Sequence, residues 1–264
     1  MRTAGVLVIM LAGLVGTSTA TAAPADADSA AGAAVARATK PRPLLERCVT
    51  RAERRRVVRF RALDRVQLVG VELGRGPRAV VLAHQGGGGD GPFLCNWMPY
   101  GRALAAQGYR VLVFDHRGFG SSGQASNFSR RRRVDFDVLA AIGFLRLRGA
   151  TSIVLGGASL GGAAVLAAAV HAKPAVNGVI SFASPITFGS INALNAARAL
   201  RVPVLFLSAA EDGSFADEAS RMYEACSASD RRLAIVPGSR HGAPVLRDPA
   251  TRQLVDGWIR DHMP

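Results

Sequence analysis

Five short runs with few polar residues set the frame for this chain: Ala79–Ala83, Val111–Phe114, Ser152–Leu155, Gly178–Phe182 and Val204–Leu207. Each is long enough for a strand and too short for an ordinary helix. A strand with no polar face must be covered on both sides. Segments with helical spacing lie between the runs, at Trp97–Gln107, Arg132–Arg148 and Leu160–Ala172, and an amphipathic stretch, Ala250–Arg260, closes the pattern. Such alternation predicts an α/β fold with an open, mostly parallel sheet and right-handed crossovers. Ahead of it, Val57–Ala62 and Val66–Leu73 alternate with period two, which predicts half-buried antiparallel strands. The length, 264 residues, suits one domain with a full hydrophobic core.

In sheets of this kind, functional residues gather beyond the C-terminal ends of the strands. The run Ser152–Leu155 opens into Gly156-Gly157-Ala158-Ser159-Leu160-Gly161-Gly162, which fits Gly-x-Ser-x-Gly. That spacing puts a serine on a cramped strand-to-helix turn, where a side chain at either glycine would strike its neighbours. The serine oxygen is lifted into solvent at a helix N-terminus, where free N–H groups can meet an oxyanion. After Ala83 comes His84-Gln85-Gly86-Gly87-Gly88-Gly89-Asp90-Gly91. A loop so rich in glycine lets backbone N–H groups approach a ligand, and no Gly-Lys-Ser/Thr follows to make it a phosphate loop. His84 is expected to fix this loop rather than to act as a base. After Leu207, the loop Ser208–Ser214 holds Glu211 and Asp212, of which Asp212 is the expected partner of a histidine and Glu211 the fallback. Leu233–Val236 leads into Pro237-Gly238-Ser239-Arg240-His241-Gly242, so His241 lies downstream of both Ser159 and Asp212 in a strand-end loop. His262 is expected in a frayed C-terminus.

The order Ser…Asp…His, together with Asp115-x-Arg117-Gly118-x-Gly120-x-Ser122 after the second run, resembles the α/β-hydrolase superfamily from about Arg56 onward. The resemblance implies an eight-stranded, mostly parallel sheet with Ser159 as nucleophile, His241 as base and Asp212 as orienting acid. It also implies an oxyanion hole from the Leu160 N–H and a second donor, Gly86 or Gln85. The usual His-Gly at that loop is His84-Gln85 here, which leaves the second donor open between the two. Asp115–Ser122 is expected to be structural. The interval Ser184–Pro203 has room for one short helix near Ile191–Ala199, which implies a minimal cap and an open site. The chemistry expected is hydrolysis of a small-molecule or polymer-linked ester through an acyl-enzyme, without metal or organic cofactor. A peptidase or amidase on the same scaffold and a non-catalytic polyanion-binding protein are the alternatives.

Residues 1–23 have the pattern of a secretory signal: Arg2, an apolar stretch centred on Val6–Ala12, and small residues near Ala20–Ala23. The apolar stretch is too short for a transmembrane anchor. Residues 24–43, rich in Ala, Asp, Ser and Pro, are expected to form a disordered linker, leaving 44–264 as the catalytic domain. A secreted protein with three cysteines can hold one internal disulfide, and Cys48–Cys95 is the favoured pair, with Cys226 left over. The formal charge of +14 is almost wholly arginine, clustered at Arg51–Arg61 and Arg130–Arg133. Such a surface attracts polyanions weakly. Aromatic residues are sparse around both clusters, so specific nucleic-acid binding is not expected.

Overall fold

The computed structural model describes residues 48–84, 86 and 93–263. The signal and linker expected at 1–43, and Gln85, lie outside the described residues. The strands are β1 (Val57–Arg61), β2 (Gln67–Leu73), β3 (Arg78–Ala83), β4 (Arg110–Asp115), β5 (Ser152–Ala158), β6 (Gly178–Phe182), β7 (Thr187–Phe188), β8 (Ile191–Asn192), β9 (Val204–Ala209) and β10 (Arg231–Val236). The helices are α1 (Met98–Ala106), α2 (Val134–Leu147), α3 (Leu160–His171), α4 (Ala193–Ala199), α5 (Phe215–Ala225) and α6 (Pro249–Asp261).

Eight strands form one sheet in the order β1-β2-β4-β3-β5-β6-β9-β10, with β7 and β8 pairing separately. From β4 to β10 every neighbouring pair is parallel, and β2 runs antiparallel to both β1 and β4. The five apolar runs are the five central parallel strands. They are buried because helices cover both faces. One core joins the sheet to α2, α3, α4 and α5, and the other joins it to α1 and α6. The crossover through α1 leaves β3 toward one side, and the crossover through α2 returns to its other side at β5. This reversal opens a crevice beyond the ends of β3 and β5.

Three expectations need correcting. β2 is not half-buried: every residue after Gln67 is buried, since both faces of the strand lie under other elements. β5 runs past Leu155 to Ala158, because Gly156 and Gly157 still pair with Leu82 and Ala83 on β3 and with Ile180 and Ser181 on β6. The expected helices leave out α5, an amphipathic helix in which only Ala219 and Met222 are buried. Elsewhere the expected helices agree within a few residues. The helix expected near Ile191–Ala199 is α4, with its N-cap Asn192 accepting from the Asn195 N–H. It packs against α3 and α5 and buries Ala193, Ala196 and Ala197 in the layer beside the sheet. The interval it occupies is as small as expected, adding only the β7–β8 hairpin.

Cys48 and Cys95 form a disulfide with Cα atoms 5.6 Å apart, and Cys226 is free and buried. The favoured pairing is the observed one.

Candidate active site

Only Ser159 separates β5 from α3, so one residue makes the whole turn. Its backbone sits at φ 49°, ψ −120°, a conformation that a residue with a side chain holds only when its surroundings impose it. Two contacts impose it here: the Ser159 N–H donates to the Phe182 carbonyl at 2.8 Å, and the Ser159 carbonyl accepts from the Ala163 N–H at 3.1 Å. The glycines around it are required by close approach. A Cβ on Gly157 would overlap the Gly161 carbonyl, and one on Gly161 would overlap the carbonyls of Ala83 and His84. One on Gly162 would stand 2.9 Å from the Ser184 Cβ. The helix therefore starts hard against β3, with no side chain capping its N-terminus. The Leu160 N–H is among the first-turn donors that have no intrahelical acceptor.

Beyond β3, His84 is wholly buried, and its Nδ1 accepts the Gly86 N–H at 2.8 Å. Burial, and then the neighbouring His116, hold the His84 imidazole well below the ordinary histidine pKa, so it is neutral and can accept at Nδ1. Its ring packs on His116 at 4.8 Å and on Phe119 at 4.9 Å between centroids. Gly86, at φ 72°, folds back over the elbow: a Cβ there would lie 3.3 Å from the Leu160 side chain. His84 thus holds Gly86 in place, and the rest of the loop lies outside the described residues. Gly86 is in the expected place, but its N–H is engaged by His84 and is not open to an oxyanion in this arrangement.

Asp212 lies in the turn between β9 and α5 and is buried, with 8% of its surface exposed. His241 lies in the loop after β10, and its Nδ1 is 2.8 Å from Asp212 Oδ2. The two loops are tied by backbone bonds, from Ala210 N–H to Val236 O at 2.8 Å and from Glu211 N–H to Gly238 O at 2.9 Å. The side chain that faces His241 is therefore Asp212, and Glu211 is exposed. The structure brings Asp212 and His241 into contact and puts Ser159 on the same edge of the sheet, where β5, β9 and β10 all end. Sequence reasoning missed Phe215, whose ring lies 4.5 Å from the His241 ring. It opens α5, and the helical spacing of Phe215, Ala219, Met222 and Tyr223 is the signal that could have found it.

Asp115–Ser122 holds the floor of this region. The buried Asp115 carboxylate accepts the Leu94 N–H at 3.0 Å, and a Cβ on Gly120 would overlap it. The Arg117 side chain is fully buried, bonded to Asp64 at 2.6 and 3.1 Å and to Asp137 at 2.8 Å. His262 does not fray: its Nδ1 meets the Trp258 carbonyl at 2.7 Å, its Nε2 meets Asp230 at 2.9 Å, and its ring stacks on Trp258. A cleft of about 410 Å³ separates Cys95, Asn96, Pro99 and Tyr100 from Ala243, Pro244 and Leu246. Ala243 is two residues from His241, so at most ~7 Å of chain separates the cleft wall from it. Among the described residues, no group of three or more His, Cys, Asp or Glu side chains is placed to hold a metal ion.

Residues 76–191 match the family model described as serine aminopeptidase, S33, which spans fewer than half of the 264 residues. No curated protein sequence is significantly similar to the chain. Among solved structures, it resembles the Pyrococcus furiosus esterase Pf2001, at 18% identity and TM-score 0.65, over 78% of this chain and 91% of that one. It resembles a thermophilic esterase from Thermogutta terrifontis, at 18% identity and TM-score 0.62, over 79% and 99%. It also resembles the α/β hydrolase GrgF from Penicillium sp. sh18, at 18% identity and TM-score 0.63, over 78% and 98%.

Proposed function

We propose that this chain, an α/β-hydrolase by fold, is a secreted serine hydrolase that cleaves carboxylic esters. The observation that carries the proposal is the 2.8 Å contact between His241 Nδ1 and Asp212 Oδ2 on the sheet edge where the Ser159 turn lies. Asp212 then accepts from Nδ1–H, which leaves Nε2 as the basic nitrogen. His241 takes the Ser159 hydroxyl proton as the oxygen attacks the ester carbonyl, and the carbonyl electrons move onto oxygen. The Leu160 N–H stabilises that oxyanion, and the Gln85 N–H is the proposed second donor because that of Gly86 is engaged by His84. Collapse expels the alcohol with the proton from His241, and water releases the acyl group by the same route. His241 acts in its neutral form. The cleft beside Ala243 is the proposed place for one arm of the ester.

Export is proposed from residues 1–23, and the Cys48–Cys95 disulfide supports it, because such bonds persist in oxidising compartments. The S33 aminopeptidase description of the matching family model favours a second reading, hydrolysis of an aminoacyl amide by the same residues.

The test is turnover of a short-to-long p-nitrophenyl ester series, beside aminoacyl p-nitroanilides, by the wild type and Ser159→Ala. Ester turnover falling at least ~10³-fold in the variant is expected, given the usual cost of losing a triad member. Anilide turnover above ester turnover would favour the second reading. Equal rates in wild type and variant would remove Ser159 as nucleophile.

A further inference from the structure

We propose that a groove along the outer face of α2 docks this protein onto an anionic lipid bilayer. The groove, about 610 Å³, runs between β1, the β1–β2 turn, α2 and the C-terminal end of α3. Its apolar lining includes Phe60, Leu139 and Phe144. Only three large hydrophobic side chains among the described residues are strongly exposed, and two of them line this groove: Leu63 at 82% and Leu147 at 91%. Leucines left almost wholly in water add nothing to folding; these two stand toward opposite ends of one groove, Leu63 in the turn after β1 and Leu147 beside the start of β4, and mark its length as an interaction surface.

The charge around the groove selects the partner. Arg59, Arg61, Arg146 and Lys173 line it, and no carboxylate does. Arg61 and Arg146 bond to backbone carbonyls, of Arg65 and of Lys173 and Pro174. Asp64, beside Leu63 in sequence, is turned inward onto Arg117 and is 3% exposed at its side chain. A second copy of the chain would press two sets of these cations together. An anionic bilayer accepts both features, since lipid phosphates meet the cations while the leucines enter the acyl boundary. Neither signal alone gives stable binding, and together they do. The register Val69↔Asp115 puts the Leu63 turn on the sheet edge where the parallel strands end, the edge that also carries Ser159 and His241.

The experiment is sedimentation of the exported form, residues 24–264, with phosphatidylcholine vesicles containing about a third phosphatidylglycerol, beside pure phosphatidylcholine vesicles. Three proteins are compared: wild type, Leu63→Ser with Leu147→Ser, and Arg221→Ser with Arg232→Ser and Arg260→Ser. The last three arginines are exposed on α5, β10 and α6, toward the sheet edge opposite β1, and serve as a charge control. The wild type is expected to prefer the anionic vesicles. The leucine pair is expected to lower partitioning about tenfold or more without changing charge or melting temperature, and the distant arginines to lower it less. The proposal falls if the leucine pair partitions like the wild type, if pure phosphatidylcholine binds equally well, or if the distant arginines matter more. A dimer abolished by the leucine pair would assign the groove to a second copy instead.

Discussion

The neutral His84 costs this protein stability in acid. Its imidazole is buried beside His116, which depresses the folded pKa well below the ordinary 6.5. Below 6.5 the unfolded chain takes up a proton that the folded chain refuses. Its contribution is therefore whole above that value and is lost as pH falls. His84→Asn keeps an acceptor for the Gly86 N–H and removes the titration. In urea unfolding between about pH 7 and 5, the wild type is expected to lose stability relative to this variant by up to about 1.4 kcal/mol per pH unit below 6.5. Parallel curves would show that His84 titrates normally. That His84 holds part of the loop after β3 was legible from its place before a glycine run. That its partner is the Gly86 N–H, one of the two nominated oxyanion donors, was not, because a two-residue contact depends on how the loop turns.

Arg117 shows how elements are joined by charge. It sits between β4 and α2, yet its guanidinium reaches Asp137 on α2, Asp64 in the β1–β2 turn and the Arg130 carbonyl at 2.9 Å. Replacing Arg117 by methionine leaves two carboxylates buried without a counter-ion, which is expected to lower stability by about 3–5 kcal/mol in urea denaturation. The triple variant with Asp64→Asn and Asp137→Asn is expected to recover part of that loss, because the stranded charges are gone. A single variant within 1 kcal/mol of wild type, taking ~1 kcal/mol as the ordinary effect of a substitution, would show that the network carries little. The Asp115-x-Arg117 motif was readable, but its partners lie 20 and 53 positions away and no local pattern names them. The limit at α5 is different. That helix does carry an apolar face, with Phe215, Ala219, Met222 and Tyr223 at helical spacing, but it is short and interrupted by charged residues.

For the molecule as a whole, the Cys48–Cys95 bond ties the start of the domain to the segment just before α1. Beside it, Arg102 of α1 bonds Glu53 at 2.7 Å and holds that carboxyl down to about 2. The disulfide closes a loop of 47 residues. Cys48→Ser with Cys95→Ser is expected to cost about 2–4 kcal/mol by chain entropy, measured by urea unfolding with and without reductant. Loss of the reductant effect without loss of stability would show that the bond is dispensable. The αβα class, the five buried strands, the glycine-bounded turn at Ser159 and the order of Ser159, Asp212 and His241 are legible along the chain. These follow from periodicity and from sterics within a few residues. That Asp212 rather than Glu211 faces His241, that Gly86 is engaged by His84, and that Leu63 and Leu147 line one groove emerge only in three dimensions. Those facts join positions brought together by sheet register and helix packing, and a side chain's partner across that distance is chosen by geometry.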